Sequence, residues 1–127
     1  MISTILAIAS GGAIGAVMRY GVNISAVKLW GADFPWATLI VNVAGSFVMG
    51  LLIAVFAHLW QPSETLRIFL VTGLLGAFTT FSTFSLDISL LWERGNYWSM
   101  TAYTGSSVFL SIAALFAAMA LVRGMVS

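Results

Sequence analysis

The sequence has no cysteine, two prolines and few charges, with five Lys or Arg and four Asp or Glu among 127 residues. Without cysteine there are no disulfides, no thiolate metal sites and no thiol chemistry. A formal net charge of +1 provides no basic patch to neutralise phosphates, which excludes nucleic acid as a partner. Charged residues make up 7% of the chain; a soluble domain carries about 25%, so the surface of this one cannot face water throughout. No metal-ligand cluster and no nucleophile paired with a base can be assembled, so the sequence reads as no enzyme.

Apolar residues dominate instead, at 61%. A spanning helix takes about 20 mostly apolar residues, so the length divides into roughly four crossings joined by short links. The expected fold is an all-α membrane protein, a single transmembrane domain over 1–127, with helices at about 2–22, 37–59, 64–92 and 99–122. The start lacks the basic region and small-residue cleavage site of a secretory signal, so the first run is expected to stay as a mature helix.

Ala7, Gly11 and Gly15 repeat every fourth residue in the first helix, a stripe on which another backbone can approach closely. A polar link follows with Asn23, Lys28, Gly31, Asp33 and Pro35, flanked by Trp30 and Trp36 as interfacial anchors. Ser63 is placed to cap the third helix, with Glu64 in its first turn. For four crossings, Arg19, Lys28 and Arg94 fall on one side, and Arg67, Arg123 and the terminal amine on the other. The positive-inside rule has almost nothing to act on. Dual topology and an antiparallel homodimer are expected; a single orientation set by an insertion partner is the alternative.

Several polar residues stand where lipid should not tolerate them. Asn42 lies in the second helix with Ser46 one turn later, either for a helix-to-helix hydrogen bond or facing a water-filled path. Tyr103, Ser107 and Ser111 stack along one side of the fourth helix, with Thr104 beside them. Single serines often fold back onto their own helix, but a continuous row resembles a wet track. In TGLLGAFTTFSTFS, Thr72 to Ser85, Gly73 and Gly76 loosen the backbone, and Thr79, Thr80, Ser82 and Thr83 can satisfy freed groups. Two outcomes fit: a broken helix whose carbonyls are ready ion ligands, or a bent but continuous one. Phe81 and Phe84 share a face, with Asp87 a further turn on. They are lipid-facing or core residues, or ring edges turned toward an anion.

With GGAIGAVMRY, TLIVNVAGSF, TGLLGAFTTFSTFS and the Tyr103, Ser107, Ser111 row in order, the chain resembles the Fluc family of fluoride channels, also called CrcB proteins, over its whole length. The resemblance implies an antiparallel dual-topology homodimer in a bacterial inner membrane, with two fluoride pathways and a passive export that confers fluoride resistance. Phe81 and Phe84 would line the pathways edge-on, Asn42 would donate to the ion, and Tyr103, Ser107 and Ser111 would form the fourth-helix row. A break in the third helix would hold a structural sodium ion on the dimer axis through the backbone carbonyls of Gly76 and Thr79 of both subunits. Arg19, closing the first helix, would adjoin an electropositive vestibule with Thr38, Ser82 and Thr83. Two residues depart from the family pattern: Ala77, where many members have glycine, and Asp87, where many have Glu and for which no role is assigned. The rivals are a small four-helix exporter, which should show a carboxylate in the first helix, and a nonconducting membrane scaffold.

Overall fold

The structure, a computed structural model, describes all 127 residues. The chain is entirely helical: α1 (Ile2–Trp30), α2 (Trp36–His58), α3 (Glu64–Ile68), a π-helical segment (Phe69–Leu75), α4 (Gly76–Phe78), α5 (Ser82–Glu93) and α6 (Tyr97–Val126). Four stretches are long and apolar enough to cross a membrane: α1, α2, the composite run Glu64–Glu93, and α6.

α1 continues well past its expected end at Val22. Asn23, Ser25 and Lys28 are polar but do not break a helix, and no residue interrupts the backbone until Gly31. There φ reaches 81°, a left-handed value that suits glycine, and the Gly31 N–H closes on the Val27 carbonyl at 2.8 Å. At 1.5 Å per residue α1 is about 43 Å long, more than the hydrocarbon thickness of about 30 Å. Arg19 therefore lies inside α1 rather than at its end. Trp30 and Trp36 pair at 6.0 Å and Trp92 and Tyr97 at 5.1 Å, an aromatic cluster at one end of the bundle that suits the membrane interface.

The third crossing is broken. Ser63 caps it as expected, its Oγ accepting from Leu66 N at 3.2 Å. The π-helical turn then lies against the small-residue stripe of α1, where Ala7, Gly11 and Gly15 are all buried. A Cβ on Gly11 would approach the Leu74 nitrogen to 3.0 Å, and one on Gly73 would approach the Gly11 Cα to 3.1 Å. Gly73 thus serves close packing, not the break. The interruption falls later, at Thr79, whose φ of −87° and ψ of 162° are extended, and helix resumes at Ser82.

α2 and α6 form the most extensive helix pair. After four alternating crossings they run in the same direction, and Gly50 of α2 lies against Leu115 and Ala118 of α6. Leu39, Phe84, Leu91 and Tyr103 form the buried core where α2, α5 and α6 meet.

Candidate functional site at the helix break

A break at membrane depth frees backbone groups that lipid cannot satisfy, so each needs a partner within the protein. Two of the partners come from other helices. Thr80 N–H donates to Asn42 Oδ1 at 2.9 Å, while Asn42 Nδ2 donates to the Thr80 carbonyl at 3.0 Å. The Asn42 amide thereby replaces one turn of helix, donor and acceptor together, and retains a second amide hydrogen. From α1, Arg19 Nε donates to the Ala77 carbonyl at 3.1 Å, and its Nη1 lies 3.4 Å from Thr83 Oγ1. Its cation sits at the carbonyl end of α4, the favourable end for positive charge. The restart of α5 is capped locally, with Thr83 N–H donating to Thr80 Oγ1 at 3.2 Å. In an unbroken helix the Gly76 and Thr79 carbonyls would accept from Thr80 and Thr83. Those N–H groups are spent elsewhere, and no hydrogen bond reaches either oxygen.

Beside the break lies a cavity of about 420 Å³ lined by Asn42, Phe81, Phe84, Ser107 and Ser111, together with Ser46, Gly76 and Thr79. Five of the six residues expected on the pathway are thus brought together. Phe81 and Phe84 stand 5.6 Å apart, centroid to centroid; Phe84 is buried, and Phe81 is 76% exposed on the protomer surface. The serines are unusual in what they omit. Ser10, Thr101 and Thr104 turn back to carbonyls of their own helices, whereas the buried Ser107 and Ser111 hydroxyls have no partner. A buried, unpaired hydroxyl costs about 1–3 kcal/mol. Two on one wall mark a surface built to donate to something that enters the cavity.

Tyr103, the sixth, is not in that cavity. It is fully buried, packed on Phe84 at 5.3 Å and edge-on to Phe34 at 5.6 Å. Its Oη donates to Asp87 Oδ2 at 2.9 Å. Asp87, which the sequence left without a role, is therefore the partner of a buried phenol. Its signal in the sequence was a carboxylate one turn beyond Phe84, on the face that Phe81 and Phe84 share.

On the α1 side a second cavity, about 300 Å³, is lined by Arg19, Asn23, Thr38, Thr80 and Thr83. Arg19, Thr38 and Thr83 meet there as expected of a vestibule; Ser82 does not, its hydroxyl lying instead 3.4 Å from Thr80 Oγ1. Thr80 lines both cavities, so the residue clamped by Asn42 stands between a cationic chamber and a wall of hydroxyls and phenyl rings.

A family model described as "CrcB-like protein, Camphor Resistance (CrcB)" matches residues 6–119. The chain belongs to this family. Among curated relatives it is 52% identical over 119 residues to a "Fluoride-specific ion channel FluC" of Rhodospirillum centenum, covering 94% of each chain. It is 52% identical over 124 residues to the protein of that name from Cereibacter sphaeroides, covering 98% of each. With the Agrobacterium fabrum protein of that name it shares 50% over 118 residues, 93% of this chain and 94% of the other. The family match spans α1 through most of α6, so the break, both cavities and the Asp87–Tyr103 pair all lie within it.

Proposed function

We propose that this chain is a passive fluoride-selective ion channel, a multi-pass protein of a bacterial membrane. The observation that carries the reading is the cavity at the break, where unpaired Ser107 and Ser111 hydroxyls face Phe81, Phe84 and the Asn42 amide in a chain about half identical to relatives named fluoride-specific channels. Fluoride is small and strongly hydrated, so a pore must replace its water with several donors at close range. Hydroxyls, an amide and the positive edges of phenyl rings supply such a set without a fixed charge that would hold the ion too tightly. Chloride, larger and a weaker acceptor, is poorly served by the same narrow wall. Hydrogen fluoride enters cells as a neutral acid and ionises inside; an inside-negative potential then drives the anion out, with about 2.3 kcal/mol per charge per 100 mV. Conduction alone confers resistance.

The working form is an antiparallel homodimer with two pathways. Its support is the even split of cations between the two sides and the exposure of Phe81, Gly76 and the wall around them on a single protomer. A structural sodium ion fits the Gly76 and Thr79 carbonyls, because neither accepts a protein hydrogen bond and the C-terminal end of a half-helix favours a cation. These carbonyls, from both subunits, would hold it; the ion would tie the two breaks together by neutralising their paired negative ends.

Liposomes loaded with potassium fluoride or potassium chloride, treated with valinomycin and followed with an anion electrode, test the activity. Rapid fluoride loss with chloride retained is expected, and no fluoride loss from well-folded protein returns the chain to a scaffold. Sodium is tested by thermal melting of the purified dimer: exchange of sodium for N-methylglucamine should lower the midpoint, and an unchanged midpoint removes the ion.

A further inference from the structure

We propose that Ser46 is an anion-contacting residue, which with Ser111 forms a second subsite one turn along the track from Asn42 and Ser107. The inference rests on the fluoride reading of this cavity and adds a residue to it. α2 and α6 run in the same direction, and their mutual level is fixed where Gly50 meets Leu115 and Ala118. One turn back along each helix from that contact lie Ser46 and Ser111, and two turns back lie Asn42 and Ser107. All four line the same cavity. Ser107 is buried and Ser111 half-buried, and the hydroxyl oxygen of each is buried and unpaired. Ser46 is half-buried and, unlike Ser10, Thr101 and Thr104, does not spend its hydroxyl on a carbonyl of its own helix.

The wall is therefore a ladder with two rungs, each with one donor from α2 and one from α6. Asn42 and Ser107 form the rung at the break. Ser46 and Ser111 form the next, just before Gly50 closes α2 onto the Leu115 backbone. Without Ser46, an ion leaving the first rung would find Ser111 as the lone donor at this level, beside the apolar Val108 and Ile112. Ser46 shares that load with Ser111, so the ion passes between donors without rehydrating.

The test compares wild type, S46A, S46T and S46C in the fluoride efflux assay over a range of fluoride concentrations, each checked for the dimer peak on size exclusion. Removal of the hydroxyl in S46A is expected to slow fluoride efflux about tenfold, the rate equivalent of one lost contact of about 1.4 kcal/mol, and to raise the half-saturating fluoride concentration. S46T, which keeps the hydroxyl, should stay within about threefold of wild type. If S46A does not yield dimer, S46C serves in its place, with a weaker donor of similar size. Efflux from S46A equal to wild type overturns the subsite, as does equal slowing in S46A and S46T, which would assign the effect to packing. Neither result touches the fluoride reading, which fails only if wild type itself does not conduct.

Discussion

Arg19 and Ala77 lie 58 positions apart in the chain, yet the guanidinium Nε of one donates to the carbonyl of the other at 3.1 Å. A half-buried cation of α1 thus closes the end of a half-helix in the third crossing. The bond is charge-assisted, and bonds of that kind contribute about 1.5–3 kcal/mol. Arg19→Ala should lower the melting midpoint and reduce fluoride efflux together. Arg19→Lys keeps the charge but not the fork that reaches both Ala77 and Thr83, and should lie between. Equal efflux from all three proteins would mean that the bond holds nothing the pathway needs.

Asn42 is used at both ends of its amide. Asn42→Asp keeps an acceptor for Thr80 N–H but sets a carboxylate oxygen against the Thr80 carbonyl, so it should be at least as harmful as Asn42→Ala. Each is expected to destabilise the fold by about 1–3 kcal/mol, the cost of leaving buried polar groups unmatched. Denaturation of the purified protein measures this; an Asp variant as stable as wild type would place the amide bonds outside the forces that fix the break.

The contact between α1 and the π-helical segment leaves no room for a methyl group. A Cβ on Gly15 collides with the Leu74 carbonyl, whereas one on Gly21 meets nothing within 4 Å. Gly15→Ala should cost about 1–3 kcal/mol through overpacking, and Gly21→Ala should be neutral or gain up to about 1 kcal/mol in helix propensity. Thermal melts of the two variants side by side separate steric from intrinsic effects.

Phe84→Ile removes the ring edge but keeps an apolar side chain of moderate size. Aromatic edge contacts of this sort are worth about 0.5–1.5 kcal/mol, so fluoride efflux should fall about two- to tenfold with the dimer intact. Unchanged efflux would take Phe84 off the pathway.

Asp87 and Tyr103 should behave as one unit. Tyr103→Phe leaves a carboxylate without its donor, and Asp87→Asn leaves the phenol a weaker acceptor. A double-mutant cycle on stability is expected to give a coupling of about 0.5–3 kcal/mol. Additive effects would show that the 2.9 Å bond contributes nothing beyond its separate halves.

The number of crossings was legible because each apolar run is long and its links carry turn residues. The end of α1 was not: Asn23 and Lys28 look like a loop, yet a helix that leaves the hydrocarbon simply continues into water until Gly31 allows it to stop. TGLLGAFTTFSTFS announced irregular backbone, and the choice between bent and broken stayed open because the deciding partners, Asn42 and Arg19, belong to other helices. Gly73 was misplaced for a related reason. A glycine that loosens a backbone and a glycine that admits a neighbour look alike until the neighbour, Gly11, is in view. Asp87 found its partner only in space, since nothing in the spacing of α5 and α6 sets Tyr103 opposite it.

Because the break is held from α1 and α2, it is not a property of the third crossing alone. That segment by itself, newly delivered to lipid, would have every reason to close its free carbonyls into one continuous helix. Asn42 and Arg19 precede it in the chain. The groups that interrupt the third helix thus belong to the two helices before it, and without them nothing outside the third crossing would hold its gap open.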